Sequence, residues 1–424
     1  MNVVISSAGS LGDVLPYVAI GAELRRRGHV VTLVANPTFE RLATEAAIGF
    51  TPVGTLGDHQ KFLADGDLWE PDRKSLENAR VDHYYPHLLD YYQAVLASST
   101  CAQTVIVTGE VGGMTVAEKL GIPFVHIVCA PAISPYTRSR YDPPHPERLL
   151  PTWARWFAGT GRRLALLYKL NDLRQGRTST TTRSAHLPAE HPIAHLRTAV
   201  GLAPLLSFTP RPRLSLCMWP DWFAAPQRDW PEEAVITGFP FYPRPNESTR
   251  LQPRALTADM SAPIVVTTGS VAGSQFLFYE TAVEACSPLG RPVLLVSPHR
   301  DHIPLDLPSH VQWVDHAPFS ELFGRASLVL HHGGIGTVSY ALASGVPQIV
   351  MPMRWDQFDN GNRLQRLGVG KMLARKDTSP ARLTEAVKCM LGSRRVASRC
   401  HHWQSRVDPE AGIRIGADAI EASC

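Results

Sequence analysis

Residues 3–34 read VVISSAGSLGDVLPYVAIGAELRRRGHVVTLV. The short apolar run Val3–Ser6 predicts a buried strand, and the glycine loop Ala8–Asp13 follows it at once. A helix is expected next, with Pro16 near its start, and Val30–Val34 predicts a second strand. Strand, helix and strand in this order are typical of a right-handed βαβ unit, in which the two strands run parallel.

The same alternation of strand and helix returns later and divides the chain into two halves. The chain has 424 residues, enough for two cores of roughly 200 residues each. Residues 240–262 are rich in proline and predict a linker, after which the alternation restarts with a strand at Ile264–Thr268. We therefore expect an α/β fold of two Rossmann-like, doubly wound domains, residues 1–239 and 263–424, that face a central cleft. The last helix is expected to pack back on the N-terminal domain.

Composition narrows the class of protein. The net charge is +4, which suits a small anionic ligand and is too weak for a nucleic-acid-binding protein. The seven cysteines form no Cys-x-x-Cys pair, so neither a disulfide framework nor a zinc site is expected. No basic segment precedes an apolar run at the N-terminus, and no apolar stretch reaches about 18 residues, so we expect a cytoplasmic protein.

A glycine-rich segment in the second half carries the clearest chemical signal. Residues 331–337 read HHGGIGT, and the pair Asp356-Gln357 follows the next predicted strand. The glycines allow backbone N–H groups to approach a ligand closely, and the helix that starts near Ile335 directs its positive end to the same place. His332 and Thr337 add side-chain donors. Such a site neutralises a diphosphate without magnesium.

This combination resembles the nucleotide-sugar signature of family 1 glycosyltransferases, which have the GT-B fold. The resemblance covers most of the chain and implies a metal-independent transferase with a nucleoside diphosphate sugar as co-substrate. It implies that His332, Gly336 and Thr337 contact the phosphates, and that Asp356 and Gln357 bind hydroxyls of the transferred sugar. The donor-binding residues implied by the resemblance are Ser270, His316, Ala317, His332, Gly334, Gly336, Thr337, Asp356 and Gln357.

Two positions depart from the family pattern. Tyr340 stands where many relatives have a glutamate that binds both ribose hydroxyls, which favours a deoxyribose nucleotide, dTDP, over UDP. His316 stands where an aromatic residue usually stacks on the base. Adjacent residues of a strand point to opposite faces, so we expect His331 to be structural and His332 functional, and no metal is expected there.

The resemblance places Asp13 at the position of the catalytic base. The base takes the proton of the acceptor hydroxyl as that hydroxyl attacks the anomeric carbon opposite the leaving nucleotide, which inverts the anomeric configuration. A free aspartate has a pKa of about 3.9, and burial in an apolar cleft raises it toward a useful value. The alternative is that Asp13 only caps the helix. Glu110, at the end of another strand, is a candidate to assist.

Three further stretches, residues 67–71, 222–231 and 237–240, resemble the rhamnosyltransferases of mono-rhamnolipid synthesis within the same family. This likeness implies dTDP-L-rhamnose as donor and a hydroxy fatty acid ester as the small apolar acceptor. The alternative is UDP-glucose with a sterol, polyketide or phenolic acceptor. The aromatic residues that would line an acceptor site, or would instead belong to the core, are Trp69, Tyr84, Tyr85, Trp153 and Trp156.

Residues 138–183 are strongly basic and predict a solvated helix pair, a lid over the acceptor pocket, or a patch that rests on anionic lipid at the inner membrane.

Three other classes of protein share parts of this fold. A nicotinamide oxidoreductase would need G-x-G-x-x-G after the first strand and an acidic residue about 20 residues later, and neither is present. A sugar-nucleotide epimerase and a non-catalytic homologue share the fold, although Asp13 with Asp356 and Gln357 argues against the latter.

Overall fold

The computed structural model describes residues 1–65, 80–132, 191–204, 211–228, 230–242, 262–269, 275–354, 356–374 and 378–423. Its framework consists of two sheets in which every pair of neighbouring strands is parallel. The expectation of two parallel α/β domains is confirmed.

The first sheet has seven strands in the order β3-β2-β1-β4-β5-β6-β7. Its strands are β1 (Asn2–Ser6), β2 (Val30–Ala35), β3 (Gly49–Pro52), β4 (Thr104–Thr108), β5 (Phe124–Val128), β6 (Leu214–Cys217) and β7 (Ala234–Ile236). The helices described in this half are α1 (Leu11–Arg26), α2 (Glu40–Glu45), α3 (Leu56–Ala64), α4 (Leu88–Ser98), α5 (Val111–Leu120) and α6 (Pro192–Ala199).

The second sheet has six strands in the order β10-β9-β8-β11-β12-β13. Its strands are β8 (Ile264–Thr267), β9 (Val293–Val296), β10 (Val311–Val314), β11 (Leu328–His331), β12 (Gln348–Val350) and β13 (Gly370–Met372). The helices described after β8 are α7 (Phe276–Cys286), α8 (Phe319–Leu322), α9 (Ile335–Ala343), α10 (Gln357–Leu367), α11 (Pro380–Gly392), α12 (Arg394–Gln404) and α13 (Ala411–Ala422). Single turns lie at Arg80–Tyr84, Pro37–Phe39, Tyr85–His87, Ser287–Leu289, Arg300–His302 and Phe323–Arg325.

The strand order reverses at the same place in both sheets. In the first sheet β1 lies between β2 and β4, and in the second β8 lies between β9 and β11. At such a point the connections that follow two adjacent strands run to opposite sides of the sheet. They leave a crevice beyond the carboxyl ends of the strands, and ligands bind there in doubly wound sheets. The loops after β1, β4, β8 and β11 are therefore the segments that the fold directs toward a ligand.

Helix α1 begins earlier than the sequence pattern predicts. It starts at Leu11, with Ser10 as the residue before it, because the backbone N–H of Ser10 donates to the Asp13 carboxylate in the manner of a capping box. Pro16 consequently lies in the second turn of the helix and not at its start. Since proline has no N–H, the hydrogen bond that residue 16 would make with the carbonyl of Gly12 is absent.

The two halves of the chain are held together by an aromatic cluster. Trp222 stacks on Trp403 of α12, with ring centroids 4.9 Å apart. Phe223 and Phe239 are buried in the same cluster, which also contains Leu364 of α10. Residues 222–231 are one of the stretches that resemble rhamnosyltransferases. The described part of this run packs between the two halves of the chain.

The last helix, α13, packs on α1 of the first half. Arg27 contacts both Asp418 at 2.6 Å and Glu421 at 2.7 Å. Gly416 lies against Ile20, since a Cβ at position 416 would lie 2.6 Å from the Ile20 Cδ1 atom.

The predicted linker at 240–262 falls for the most part outside the described residues. Among the described helices, none has the length and apolar character needed to cross a membrane.

Candidate active site

The loop after β1 presents Asp13 at the first crevice. Gly9 has a φ of +123°, and a Cβ there would lie 2.6 Å from Oδ2 of Asp13, so only glycine allows the loop to fold onto the carboxylate. The backbone N–H and the hydroxyl of Ser10 both donate to that same oxygen at 2.8 Å. The hydrogen bonds that the described residues make to this carboxylate all use Oδ2, which leaves Oδ1 to accept a proton from a ligand.

The environment of Asp13 raises its pKa above the ordinary value of 3.8. Desolvation by the walls of the cleft is the main cause, and the two hydrogen bonds from Ser10 oppose it. The residue itself keeps an exposed surface, so this desolvation comes from the surrounding cleft and not from full enclosure. The carboxylate therefore takes part in helix capping and remains accessible, so the capping contact does not prevent it from acting as a base.

Glu110 follows β4 and is the N-cap of α5. It is buried, and its carboxylate accepts hydrogen bonds from the Ser6 hydroxyl at 2.6 Å, from the Tyr84 hydroxyl at 2.8 Å and from the backbone N–H groups of Gly112 and Gly113. Burial raises the pKa of Glu110, and these donors oppose the change. Glu110 and Tyr84 contact each other and the protein backbone, so both act on the loop at the end of β1 through Ser6.

The loop after β11 begins with the two adjacent histidines. His331 is fully buried, and its ring nitrogens contact the Gln348 side chain at 3.1 Å and the backbone N–H of Gly333 at 3.1 Å. Burial lowers its pKa to about 3. His331 is therefore a structural residue that joins β11 to β12.

His332 lies at the opening of the loop, between the ends of β8 and β11. A Cβ at Gly334 would lie 2.5 Å from its Nε2 atom, and one at Gly269 would lie 3.1 Å from its Cε1 atom. Burial lowers the pKa of His332 to about 4, so the ring is neutral at physiological pH and donates a single N–H. Helix α9 begins directly after Gly334, and buried Thr337 lies in its first turn.

The loop after β12 supplies Asp356 and Gln357 at the start of α10. The Gln357 side-chain oxygen accepts the backbone N–H groups of Met353 at 2.8 Å and Arg354 at 2.9 Å. Its amide nitrogen is thereby identified as the donor end of the side chain. The Nδ2 of buried Asn360 donates to Asp356 at 2.7 Å and to the Gly333 carbonyl at 2.9 Å, which ties this loop to the glycine loop.

Asp13 and Asp356 come together across the two halves of the chain. The pKa of Asp356 is raised to about 7 by burial first, while Asn360 opposes the shift and the charge of Asp13 adds to it. Cys129, which follows β5, has its pKa raised by burial and then by the charges of Asp13 and Asp356. Sequence reasoning missed Cys129, although its place directly after a central parallel strand is the signal that could have found it.

The remaining predicted residues have different outcomes. Tyr340 lies on α9 with its ring 5.1 Å from that of Phe241 and 6.4 Å from that of Phe319. Ala317 is buried and His316 is partly buried, directly after β10. Ser270, Trp69, Trp153, Trp156 and the basic segment 138–183 lie outside the described residues.

One group of described residues has the composition of a metal site. His299, Asp301 and His302, after β9, have ligand atoms within 4.8 Å of one another. Neither Asp13 nor Asp356 belongs to that group.

The comparisons with known proteins agree with this geometry. The profile of the glycosyltransferase family 28 N-terminal domain matches residues 3–134, and that of the erythromycin biosynthesis protein CIII-like C-terminal domain matches residues 293–407. The chain is a glycosyltransferase. It is 27% identical to O-mycaminosyltylonolide 6-deoxyallosyltransferase of Streptomyces fradiae, over 99% of this chain and 97% of the relative.

Further relatives and solved structures extend the match to the whole fold. Vancomycin aglycone glucosyltransferase of Amycolatopsis orientalis is 27% identical, over 87% of this chain and 85% of its own. The glycosyltransferase of kitacinnamycin has a TM-score of 0.70 at 21% identity, with 99% and 98% of the chains covered. The spinosyn rhamnosyltransferase SpnG complexed with thymidine diphosphate has a TM-score of 0.61 at 20% identity, with 98% and 99% covered. This glycosyltransferase therefore has the GT-B fold.

Proposed function

We propose that this glycosyltransferase moves a hexose from a nucleoside diphosphate to the hydroxyl of a small apolar acceptor, with inversion at the anomeric carbon. The observation that carries the proposal is that Asp13, on the first domain, lies close enough to Asp356, on the second, for its charge to contribute to the raised pKa of Asp356. A transfer reaction needs such an arrangement, because the acceptor must be deprotonated within reach of the bound sugar.

The donor half of the reaction is assigned to the second domain. The N-terminus of α9 directs unpaired N–H groups toward the diphosphate, and neutral His332 and Thr337 donate further hydrogen bonds. Asp356 and the amide nitrogen of Gln357 bind hydroxyls of the sugar. Negative charge that develops on the leaving diphosphate is stabilised by these donors without a metal ion.

The acceptor half is assigned to Asp13. The acceptor oxygen attacks the anomeric carbon from the side opposite the nucleotide, the bond from that carbon to the β-phosphate oxygen breaks, and the acceptor proton passes to Oδ1 of Asp13. The raised pKa of Asp13 makes it a stronger base than a free aspartate.

We propose dTDP as the nucleotide, because Tyr340 offers no carboxylate for a ribose 2′-hydroxyl and its ring packs with Phe241 and Phe319. Two structural neighbours are described with dTDP or thymidine diphosphate bound. We further propose that the sugar is L-rhamnose and that the acceptor is a hydroxy fatty acid ester.

The second candidate is a UDP-glucose-dependent transferase for a sterol, polyketide or phenolic acceptor. It draws on the names of relatives, among them a zeaxanthin glucosyltransferase of Pantoea ananas and a sterol 3-beta-glucosyltransferase of Emericella nidulans. Both candidates share the catalytic arrangement and differ only in nucleotide, sugar and acceptor.

Thermal stabilisation by dTDP and by UDP, at matched concentrations without metal, separates the two. A ligand that binds only the folded state stabilises it by an amount set by its concentration relative to Kd. A larger shift with dTDP supports the first candidate and leads to transfer assays with dTDP-L-rhamnose. A larger shift with UDP overturns it in favour of the second, and no shift with either contradicts the whole donor-site assignment.

A further inference from the structure

Helix α10 carries a buried ion pair between Asp359, in its first turn, and Arg363, about two turns beyond the sugar-binding pair Asp356 and Gln357. The Nε of Arg363 lies 2.7 Å from Oδ2 of Asp359, and the side chains are 4% and 2% exposed. Charges buried to this degree cost considerable desolvation energy, which close pairing and further hydrogen bonds have to offset.

The same guanidinium reaches the other half of the molecule. Its Nη1 donates to the backbone carbonyl of Phe223 at 3.1 Å, and its Cζ lies 5.7 Å from the centroid of the Phe223 ring. Phe223 belongs to the segment between β6 and β7, which are strands of the first sheet. Arg363 thus connects the helix that begins at the sugar-binding residues directly to the domain that holds Asp13.

We infer that Arg363 is a positioning residue that sets the place of Asp356 relative to Asp13. A planar guanidinium can hold Asp359 and the Phe223 carbonyl together in one fixed geometry, which an apolar contact would not specify. Arg363 and Gln357 lie on the same helix, so a displacement of Arg363 also displaces Gln357. Transfer between two bound molecules is sensitive to such shifts, since a displacement of about 1 Å costs roughly 100-fold in rate. This inference rests on the proposed roles of Asp13 and Asp356.

The inference separates two reactions of the same donor. Transfer of the sugar requires that the two domains hold Asp13 and Asp356 in the correct relative position. Hydrolysis of the bound nucleotide sugar by water requires only the second domain, which binds the donor. Loss of the contact should therefore lower transfer relative to hydrolysis and leave nucleotide binding in place.

The test uses the full-length protein and three variants of this contact. Arg363→Met alone removes the guanidinium that pairs with buried Asp359 and is expected to fold poorly. The double variant Asp359→Leu/Arg363→Met removes both charges and keeps apolar volume, and Arg363→Lys keeps the charge but not the planar fork. The donor is dTDP-L-rhamnose or UDP-glucose, whichever the wild type consumes, and nucleotide release with and without acceptor is measured beside dTDP and UDP binding.

A matched control lies inside the first domain. Arg197 is also buried, with its Nη1 2.6 Å from Glu118 and its Nε donating to the Ala203 carbonyl at 2.6 Å. The double variant Glu118→Leu/Arg197→Met removes an ion pair whose hydrogen bonds, among the residues that the structure describes, stay within the first domain.

We expect the Asp359→Leu/Arg363→Met variant to bind nucleotide within about threefold of wild type and to lose at least about 10-fold in the ratio of transfer to hydrolysis. Arg363→Lys should recover part of that ratio, and the Glu118→Leu/Arg197→Met control should leave it unchanged. An unchanged ratio in the folded double variant overturns the inference, as does an equal loss in the control or a parallel loss of nucleotide binding.

The two proposals fail in different ways. If the wild type transfers sugar and Asp13→Asn abolishes transfer, the proposed function stands and an unchanged ratio contradicts only the role of Arg363. If the wild type hydrolyses neither donor and transfers neither sugar, the proposed function fails and the inference falls with it.

Discussion

Asp13 and Asp356 belong to different domains, yet the charge of Asp13 contributes to holding the pKa of Asp356 at about 7. Burial is the larger cause, and the amide of Asn360 limits the shift. Two carboxyl groups that influence each other in this way cannot both be ionised without cost. Hydroxyl groups suit such a pair of carboxyl groups, because a hydroxyl can donate to an ionised carboxylate and accept from a protonated one.

The first prediction concerns Asp13→Asn. The asparagine side-chain oxygen still accepts the two hydrogen bonds from Ser10, so α1 should keep its cap while the base is lost. We expect the transfer rate to fall by about 100- to 10,000-fold, with dTDP binding within about threefold of wild type. Ser10→Ala is the control, because it weakens the cap and leaves the base. A comparable loss of transfer in Ser10→Ala would show that capping, and not proton transfer, is the role of Asp13.

The second prediction concerns Asp356→Asn and stability. The folded-state pKa of about 7 lies above the ordinary value of 3.8, so the folded protein holds this proton more tightly than the unfolded chain. The ionised group therefore destabilises the ligand-free fold progressively as pH rises from about 4 to about 7, and fully above that. We expect Asp356→Asn to raise Tm at pH 8 by roughly 3–6 °C, equivalent to about 2 kcal/mol.

The same variant should transfer sugar poorly, since asparagine cannot accept hydroxyl hydrogen bonds with both side-chain atoms. The Tm difference from wild type should shrink toward pH 4, where the wild-type carboxyl is protonated. A difference that is independent of pH would mean that the stabilisation has a cause other than the charge of Asp356.

The third prediction concerns the protonation state of His332. With a pKa of about 4, its ring stays neutral between pH 5.5 and pH 8.5, so in the role proposed for it His332 binds phosphate as a hydrogen-bond donor and not as a cation. His332→Ala should weaken dTDP binding by roughly 10- to 100-fold, the range for a hydrogen bond to a charged group. The ratio of wild-type to variant affinity, measured by calorimetry, should stay constant over that pH interval. A ratio that grows toward pH 5.5 would indicate a charged imidazolium.

The fourth prediction concerns Gly334, whose Cα lies close to the His332 ring. Gly334 has φ of −60° and ψ of 139°, which alanine also adopts, so the Gly334→Ala variant isolates the steric effect of one methyl group. Because that methyl would lie 2.5 Å from Nε2 of His332, the ring must move, and dTDP affinity should fall by about 10-fold. Gly324→Ala is the control, since no atom lies within 4 Å of its added Cβ. Equal affinities in the two variants would contradict the assignment of His332 to the phosphate site.

Much of the architecture follows from local patterns. Fully buried strands such as Val3–Ser6 and Leu328–His331 read as continuous apolar runs, and the loops directly after parallel strands are where ligands bind. These two rules place Asp13 at the crevice of the first sheet and the segment around His332 at the crevice of the second. They also identify His331 as structural, because the strand turns its side chain to the other face.

Other features depend on partners that are distant along the chain. Nothing close to Glu110 indicates that Ser6, 104 residues away, and Tyr84, 26 residues away, would occupy its carboxylate. The Trp222–Phe223 segment likewise acquires its role only when Trp403 and Arg363 pack against it. The early start of α1 is a local feature: the sequence offers Asp13 as a capping residue, and its pairing with Ser10 in a capping box moves the helix start forward to Leu11.

The packing of α13 on α1 bears on how hybrid enzymes should be built from this chain. An exchange of halves at residues 240–262 would place a foreign last helix on α1, where Arg27 requires acids at positions 418 and 421 and Ile20 requires a glycine at 416. A second crossover between Gln404 and Ala411, the interval between α12 and α13, would return the native helix to its own domain. The first domain is thus encoded in two separate stretches of the gene, and donor exchange should be designed as the insertion of a cassette.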